Sequence, residues 1–233
     1  NGIDLILEPI DRAKTCAIGF WFSVGSRYEE KHQRGITHFV EHMLFKGTTK
    51  RSARDIALSF DRIGGYINAF TDRENLCMHC VVPSDYSLQA LEIMSDMMND
   101  SLFSPIEIEK ERSIIESEII SSYDDPEEAA NEAVFQAIWP KQSLSQSIAD
   151  IHSLVREDLV DWYEKFVKNG KLLVTLSGNF CEKTIRNSLK ENPKRDVSFT
   201  KEFEYPKTNE DFHFLSASFQ MEQLFFCYAL EKP

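Results

Sequence analysis

A chain of 233 residues, 42% of them hydrophobic and 12% aromatic, has room for one large domain or two small ones and ample material for a core. Its 38 acidic residues against 26 basic ones give a formal charge of −12, which argues against a phosphate-backbone partner and favours a neutral or cationic polypeptide. No apolar run approaches the ~20 residues of a bilayer span and no charged-then-apolar signal stretch opens the chain, so it reads as a soluble globular protein. The first residue is Asn1 rather than Met, which leaves room for a leader or an upstream segment. Cys16, Cys77, Cys80, Cys181 and Cys227 are odd in number and follow no staple pattern, which favours a reducing compartment.

In chain order, residues 3–7 and 16–24 are β-rich runs joined by a polar turn around Pro9, and are expected to pair as the first two strands. Residues 25–34 form a charged loop. Residues 35–47 then read as a helix stopped at Gly47, with Lys46 in its last turn. Helical spacing sets His38 and His42 one above the other with Glu41 beside them. Two neutral imidazoles on adjacent turns suit Zn²⁺, and a neighbouring carboxylate suits a base; two satisfied core histidines are the alternative.

Ser52 and Asp55 form a capping-box start for a helix through Ile63, ended by Gly64 and Gly65. Residues 66–71 and 75–82 form a hairpin of two strands. Within it Cys77 and Cys80 have zinc-knuckle spacing, but a strand sends side chains three apart to opposite faces. Ser84 opens a long helix to about Leu102 whose Leu88, Leu91, Met94 and Met98 read as core. Ser104, Pro105 and Glu107 start the next helix. On it Ile108, Ile114, Ile115 and Ile119 make one apolar face, with Glu111 and Glu118 in its middle. Two carboxylates there require cations, either as buried ion pairs or as a metal. Asp125 and Pro126 open a helix to about Trp139, and 154–167 is another amphipathic helix. A strand over 171–177, a short helix over 181–191 and a linker over 192–207 follow. Two β-rich runs at 212–218 and 222–230 are either the start of an internal repeat or two further strands of the first sheet.

The order His38-x-x-Glu41-His42 inverts the HExxH zinc-protease signature, and a catalytic zinc needs a third protein ligand. With His38-Phe-Val-Glu41-His42-Met-Leu-Phe-Lys46-Gly47-Thr48, then Gly64-Gly65-x-x-Asn68-Ala69-x-Thr71, then Glu111-Arg112 leading to Glu118, the chain resembles the N-terminal domain of the pitrilysin/insulinase metallopeptidases. Within them it is most similar in pattern to the β-subunits of mitochondrial processing peptidases and their bacterial relatives. The resemblance runs from about Ile3 to Phe180.

That resemblance implies one Zn²⁺ per chain on His38, His42 and Glu118, with Glu41 as general base. It implies a role for Glu111 in orienting the site, and β-augmentation of a peptide substrate along Asn68 and Ala69. The fold it implies is α+β, an antiparallel sheet with helices packed on it, as one half of a duplicated metallopeptidase. Residues 1–205 would be the zinc-binding domain and 206–233 terminal strands, either the start of a truncated second half or the completion of the first sheet. The function expected is a zinc endopeptidase of extended polypeptides, incomplete without that second half or a partner subunit in a homodimer or heterodimer. The alternative is a non-catalytic substrate-holding or assembly subunit on the same fold. A bacterial cytoplasm is the expected location, with the mitochondrial matrix as the alternative. The sequence departs from the family pattern at Met78 and over 141–148, neither of which is expected to touch the metal.

Overall fold

The computed structural model describes residues 2–138 and 146–195. The expected strands at 212–218 and 222–230, the domain boundary near 205, Cys227, Trp139 and most of the linker lie outside them. Five strands form one sheet: β1 (Ile3–Pro9), β2 (Thr15–Phe22), β3 (Tyr66–Thr71), β4 (Leu76–Pro83) and β5 (Leu172–Gly178), in the order β1-β5-β2-β4-β3. The fold is α+β as expected, and three of the four strand pairings are antiparallel.

The expected pairing of β1 with β2 does not occur. β5 lies between them, parallel to β1 from Ile3↔Leu172 to Pro9↔Gly178 and antiparallel to β2 from Cys16↔Gly178 to Phe22↔Leu172. Burial gives the reason. Leu172, Val174 and Leu176 are wholly buried, as befits a central strand, whereas β1 alternates between half-buried and exposed positions, as an edge strand can.

Cys16, Ile18, Phe20 and Phe22 of β2 and Leu76, Met78, Cys80 and Val82 of β4 point to one face and are buried there. The helices are α1 (Ile36–Met43), α2 (Ala53–Arg62), α3 (Ser87–Asp100), α4 (Pro105–Tyr123), α5 (Pro126–Ile138), α6 (Ile148–Ser153), α7 (Arg156–Trp162) and α8 (Glu182–Lys190). The α7 helix runs on as a wider π-turn over Tyr163–Lys168. Leu91, Met94 and Met98 of α3 are buried against the sheet as expected, with Leu88 half-buried. Met78 is an ordinary core residue.

Local signals placed most helix starts well. Ser52 and Asp55 make both bonds of their capping box, and Asp125 Oδ1 accepts from the amides of Glu127 and Glu128. The α4 helix starts at Pro105, although the Ser104 hydroxyl makes no cap bond. Cys77 and Cys80 do face opposite sides of β4, and burial pushes both thiols up to about 12, which disfavours the thiolate a metal would need. The α6 helix was not expected from the sequence at all. It is only 6 residues long, and its capping box of Ser147 and Asp150 is the signal that marks it.

Candidate metal centre

The α1 helix carries the two imidazoles. It starts at Gly35, whose φ of 81° is left-handed, and its regular part ends at Met43, with Gly47 closing the following turn at φ 111°. Ile36, Phe39, Val40 and Met43 are wholly buried and fix its inner face. Glu29 caps its open end: the amides of Gly35 and Thr37 donate to the two Glu29 carboxylate oxygens at 2.8 and 3.0 Å. Burial pushes the Glu29 pKa up to about 7 against the pull of those two amides. No local pattern announces this cap, because Glu29 lies six residues ahead of Gly35 in a loop that reads simply as charged.

His38 and His42 turn their Nε2 atoms toward each other at 3.1 Å, and Glu118 Oε2 lies 3.4 Å from each. A tetrahedral zinc with bonds of ~2.1 Å separates its ligand atoms by about 3.4 Å, so this triangle has the dimensions of three of four zinc positions. Among the described residues, His38, His42 and Glu118 form the group of His, Cys, Asp and Glu side chains that could hold a metal ion. Burial, and then the neighbouring His42, pull the His38 pKa down and favour the neutral imidazole that a metal needs.

The outer nitrogens are held differently. His42 Nδ1 lies 3.0 Å from Glu111 Oε2, and Lys46 Nζ donates to Glu111 Oε1 at 2.7 Å. His38 Nδ1 lies 2.8 Å from the side-chain amide of Gln146. Glu41 is near enough to His42 and Glu118 to feel both charges, and Thr71 Oγ1 of β3 donates to its Oε2 at 2.6 Å. Burial pushes the Glu41 pKa up, opposed by the Thr71 bond, so its carboxylate is more basic than a solvated one.

Two expectations about α4 need correction. Glu111 and Glu118 do not share one buried stripe: Glu111 is 3% exposed, whereas the Glu118 side chain is 48% exposed. Ile114, expected on the apolar face, is 43% exposed. The core covers α4 along Ile108, Glu111, Arg112, Ile115 and Ile119, and the site opens to solvent where Glu118 leans out over α1. The buried carboxylate is thus satisfied by a lysine and a histidine, and the half-exposed one joins the imidazoles. The stretch 141–148, expected to stay clear of the metal, supplies Gln146 to His38. Lys46, expected only as a helix-end charge, neutralises Glu111.

Asn68 and Ala69 lie on β3, the edge strand whose outer side is open among the described residues. The Asn68 side chain is exposed and donates to the Tyr66 hydroxyl at 2.8 Å, while Ala69 is buried, so this stretch offers a substrate its backbone rather than converging side chains. The bond from Thr71 to Glu41 brings one end of that strand to the imidazole pair.

The sequence pattern of the insulinase family (peptidase family M16) matches residues 5–151, more than half of the chain. The chain belongs to that family. An uncharacterized zinc protease of Bacillus subtilis, YmxG, is 34% identical over 191 residues, which are 80% of this chain and 47% of that one. The β-subunit of the rat mitochondrial-processing peptidase is 32% identical over 185 residues, 78% of this chain and 38% of the subunit. A crystal structure of a peptidase M16 inactive domain from Pseudomonas fluorescens superposes with a TM-score of 0.78 at 13% identity, covering 88% of this chain and 52% of that one. That last likeness is one of fold alone. The chain spans about half the length, or less, of the curated relatives it matches. The insulinase-family pattern covers both imidazoles together with Glu111 and Glu118 of α4.

Proposed function

We propose that the chain is the zinc-binding half of an endopeptidase that cuts extended polypeptides. The observation that carries this reading is the convergence of His38 Nε2, His42 Nε2 and Glu118 Oε2 at zinc-ligand spacing beside the raised carboxylate of Glu41. Zinc, when bound, supplies a Lewis acid that polarises the scissile carbonyl and acidifies the attacking water. His38 and His42 give their Nε2 lone pairs and Glu118 the third donor. Glu41, steadied by Thr71, takes the proton from the attacking water and hands it to the leaving amine. Glu111 is a positioning residue: it accepts the His42 Nδ1 proton and so aims Nε2 inward. The peptide backbone adds to the open edge of β3 along Asn68 and Ala69.

The other wall of the cleft belongs to a second half, beginning at about residue 206 or carried by a partner subunit. The lengths of the relatives and the half-exposed Glu118 both support this. The unpaired thiols of Cys16, Cys77, Cys80 and Cys181 support a reducing compartment, a bacterial cytoplasm or a mitochondrial matrix. A non-catalytic, substrate-holding subunit is the competing reading, favoured by the likeness in fold to a domain described as inactive. The presence of Glu41 together with all three donors weighs against it.

Metal analysis and cleavage of an unstructured peptide, on wild type and Glu41→Gln, separate the two. One zinc per chain in both proteins, with cleavage in wild type only and only when the second half is supplied, is the expected result. Absence of bound zinc, or equal cleavage by both proteins, overturns the peptidase reading.

A further inference from the structure

We infer that Gln146 is a positioning residue of the metal centre, fixing the His38 tautomer that leaves Nε2 free to bind zinc. This rests on the reading of His38 as a zinc ligand given above. A neutral imidazole that ligates through Nε2 carries its proton on Nδ1. Whatever lies 2.8 Å from His38 Nδ1 must therefore accept a hydrogen bond, and that neighbour is the Gln146 amide. The amide places its nitrogen at Nδ1, while its Oε1 is buried with no hydrogen-bond partner. With the proton on Nδ1 this arrangement would set two donors face to face. A half-turn of the amide, which costs no change of shape, brings Oε1 to Nδ1 instead. In that orientation Oε1 accepts the Nδ1 proton, and the Nε2 lone pair is left facing the other two donors.

The surroundings hold Gln146 for this role. It directly precedes the capping box of α6, where Ser147 and Asp150 exchange bonds of 2.9 and 3.2 Å. The far end of α6 is tied to α4 by Arg112, which donates to the Ile151 carbonyl and, at 3.1 Å, to that of Leu154. On the other side the glutamine leans on Gly35. A Cβ there would lie 2.6 Å from Gln146 Oε1 and 2.5 Å from Ile151 Cδ1, so the glycine that opens α1 also clears the path to His38. The two imidazoles are then braced in parallel, His42 by a carboxylate and His38 by an amide.

Zinc affinity, measured by competition with a chromophoric chelator on the full chain, tests this in Gln146→Met and Gln146→Glu. The Met variant keeps the volume and removes the acceptor, and its affinity should fall about tenfold. The Glu variant keeps an acceptor and should bind as wild type or more tightly. Imidazole ¹⁵N shifts of the zinc-loaded proteins give the second readout: His38 carries its proton firmly on Nδ1 in wild type and the Glu variant, and exchanges it more freely with solvent in the Met variant. Unchanged affinity in Gln146→Met, or an equal loss in Gln146→Glu, overturns the inference while leaving the zinc site standing. Should Gln146→Met fail to fold, the Glu variant decides alone: retained affinity with Nδ1 protonated supports the inference, and a tenfold loss overturns it. A wild type that binds no zinc overturns the peptidase reading, and this inference with it.

Discussion

The candidate site has a closed end and an open end. At the closed end His42, Glu111 and Lys46 form a chain of short polar contacts at the edge of the core, both Glu111 oxygens engaged and 4% of its side chain exposed. At the open end Glu118 is 48% exposed and has the two imidazoles as its partners, and His38 rests on a neutral amide. The difference separates two jobs. The closed end is built by folding and orients one ligand before any ion arrives, whereas the open end is left for the ion to complete.

The sharpest way to break this contrast is to remove each carboxylate in turn and measure stability with a chelator present. Glu111→Ala strands Lys46 and the His42 Nδ1 proton around a buried gap and is expected to cost about 3 kcal/mol in thermal or denaturant unfolding. The double variant Lys46→Met/Glu111→Ala should recover part of that loss. Glu118→Ala should leave metal-free stability within about 0.5 kcal/mol, since its head group is half in water. Equal costs for the two single variants would end the distinction.

The next effect is linked to the ion. With free zinc at about 100 times its dissociation constant, wild type should gain about 2.7 kcal/mol. Glu118→Ala should lose most of that gain, read as the zinc-dependent shift in midpoint.

Gly35→Ala tests the junction of the open end with α1. It places a Cβ against Gln146 and Ile151 at a left-handed φ, so a loss of about 2 kcal/mol is expected, together with weaker zinc binding. Stability lost with zinc affinity intact would mean that the clash is absorbed away from Gln146.

A further effect concerns pH. Burial raises the Glu29 pKa from 4.5 to about 7 in the fold, so its contribution is fully present below 4.5 and is lost as pH rises through 7. The midpoint of wild type, compared with Glu29→Gln, should therefore decline between pH 5 and 8. A flat difference would show that the two amide bonds hold the carboxylate at its ordinary value.

What the sequence disclosed follows the range of the interactions. The imidazole pair and Glu41 were legible because a helix converts spacing directly into position, and Ser52, Asp125 and Pro105 marked helix starts for the same local reason. The α4 periodicity brought out Glu111 and Glu118 but could not distinguish them, since helix phase says nothing of where the neighbouring core stops. Gln146 and Glu29 were illegible: each acts from just outside the helix it supports or precedes, on a partner distant in sequence or turned by packing, with no period to betray it. The place of β5 in the sheet was hidden likewise, because alternation along a strand reveals its faces and not its neighbours.

The position of β5 has a consequence for how the molecule is made. Every residue of the candidate site up to Glu118 is synthesised before Leu172, yet the strand that joins β1 to β2 starts only there. Until it emerges, β2 presents a bare hydrogen-bonding edge and β1 has no partner in the sheet. The imidazole pair therefore rests on an unfinished platform until residues 172–178 have been made. A nascent chain cut before β5 would hold every proposed zinc donor and still lack the strand that ties β1 into the sheet.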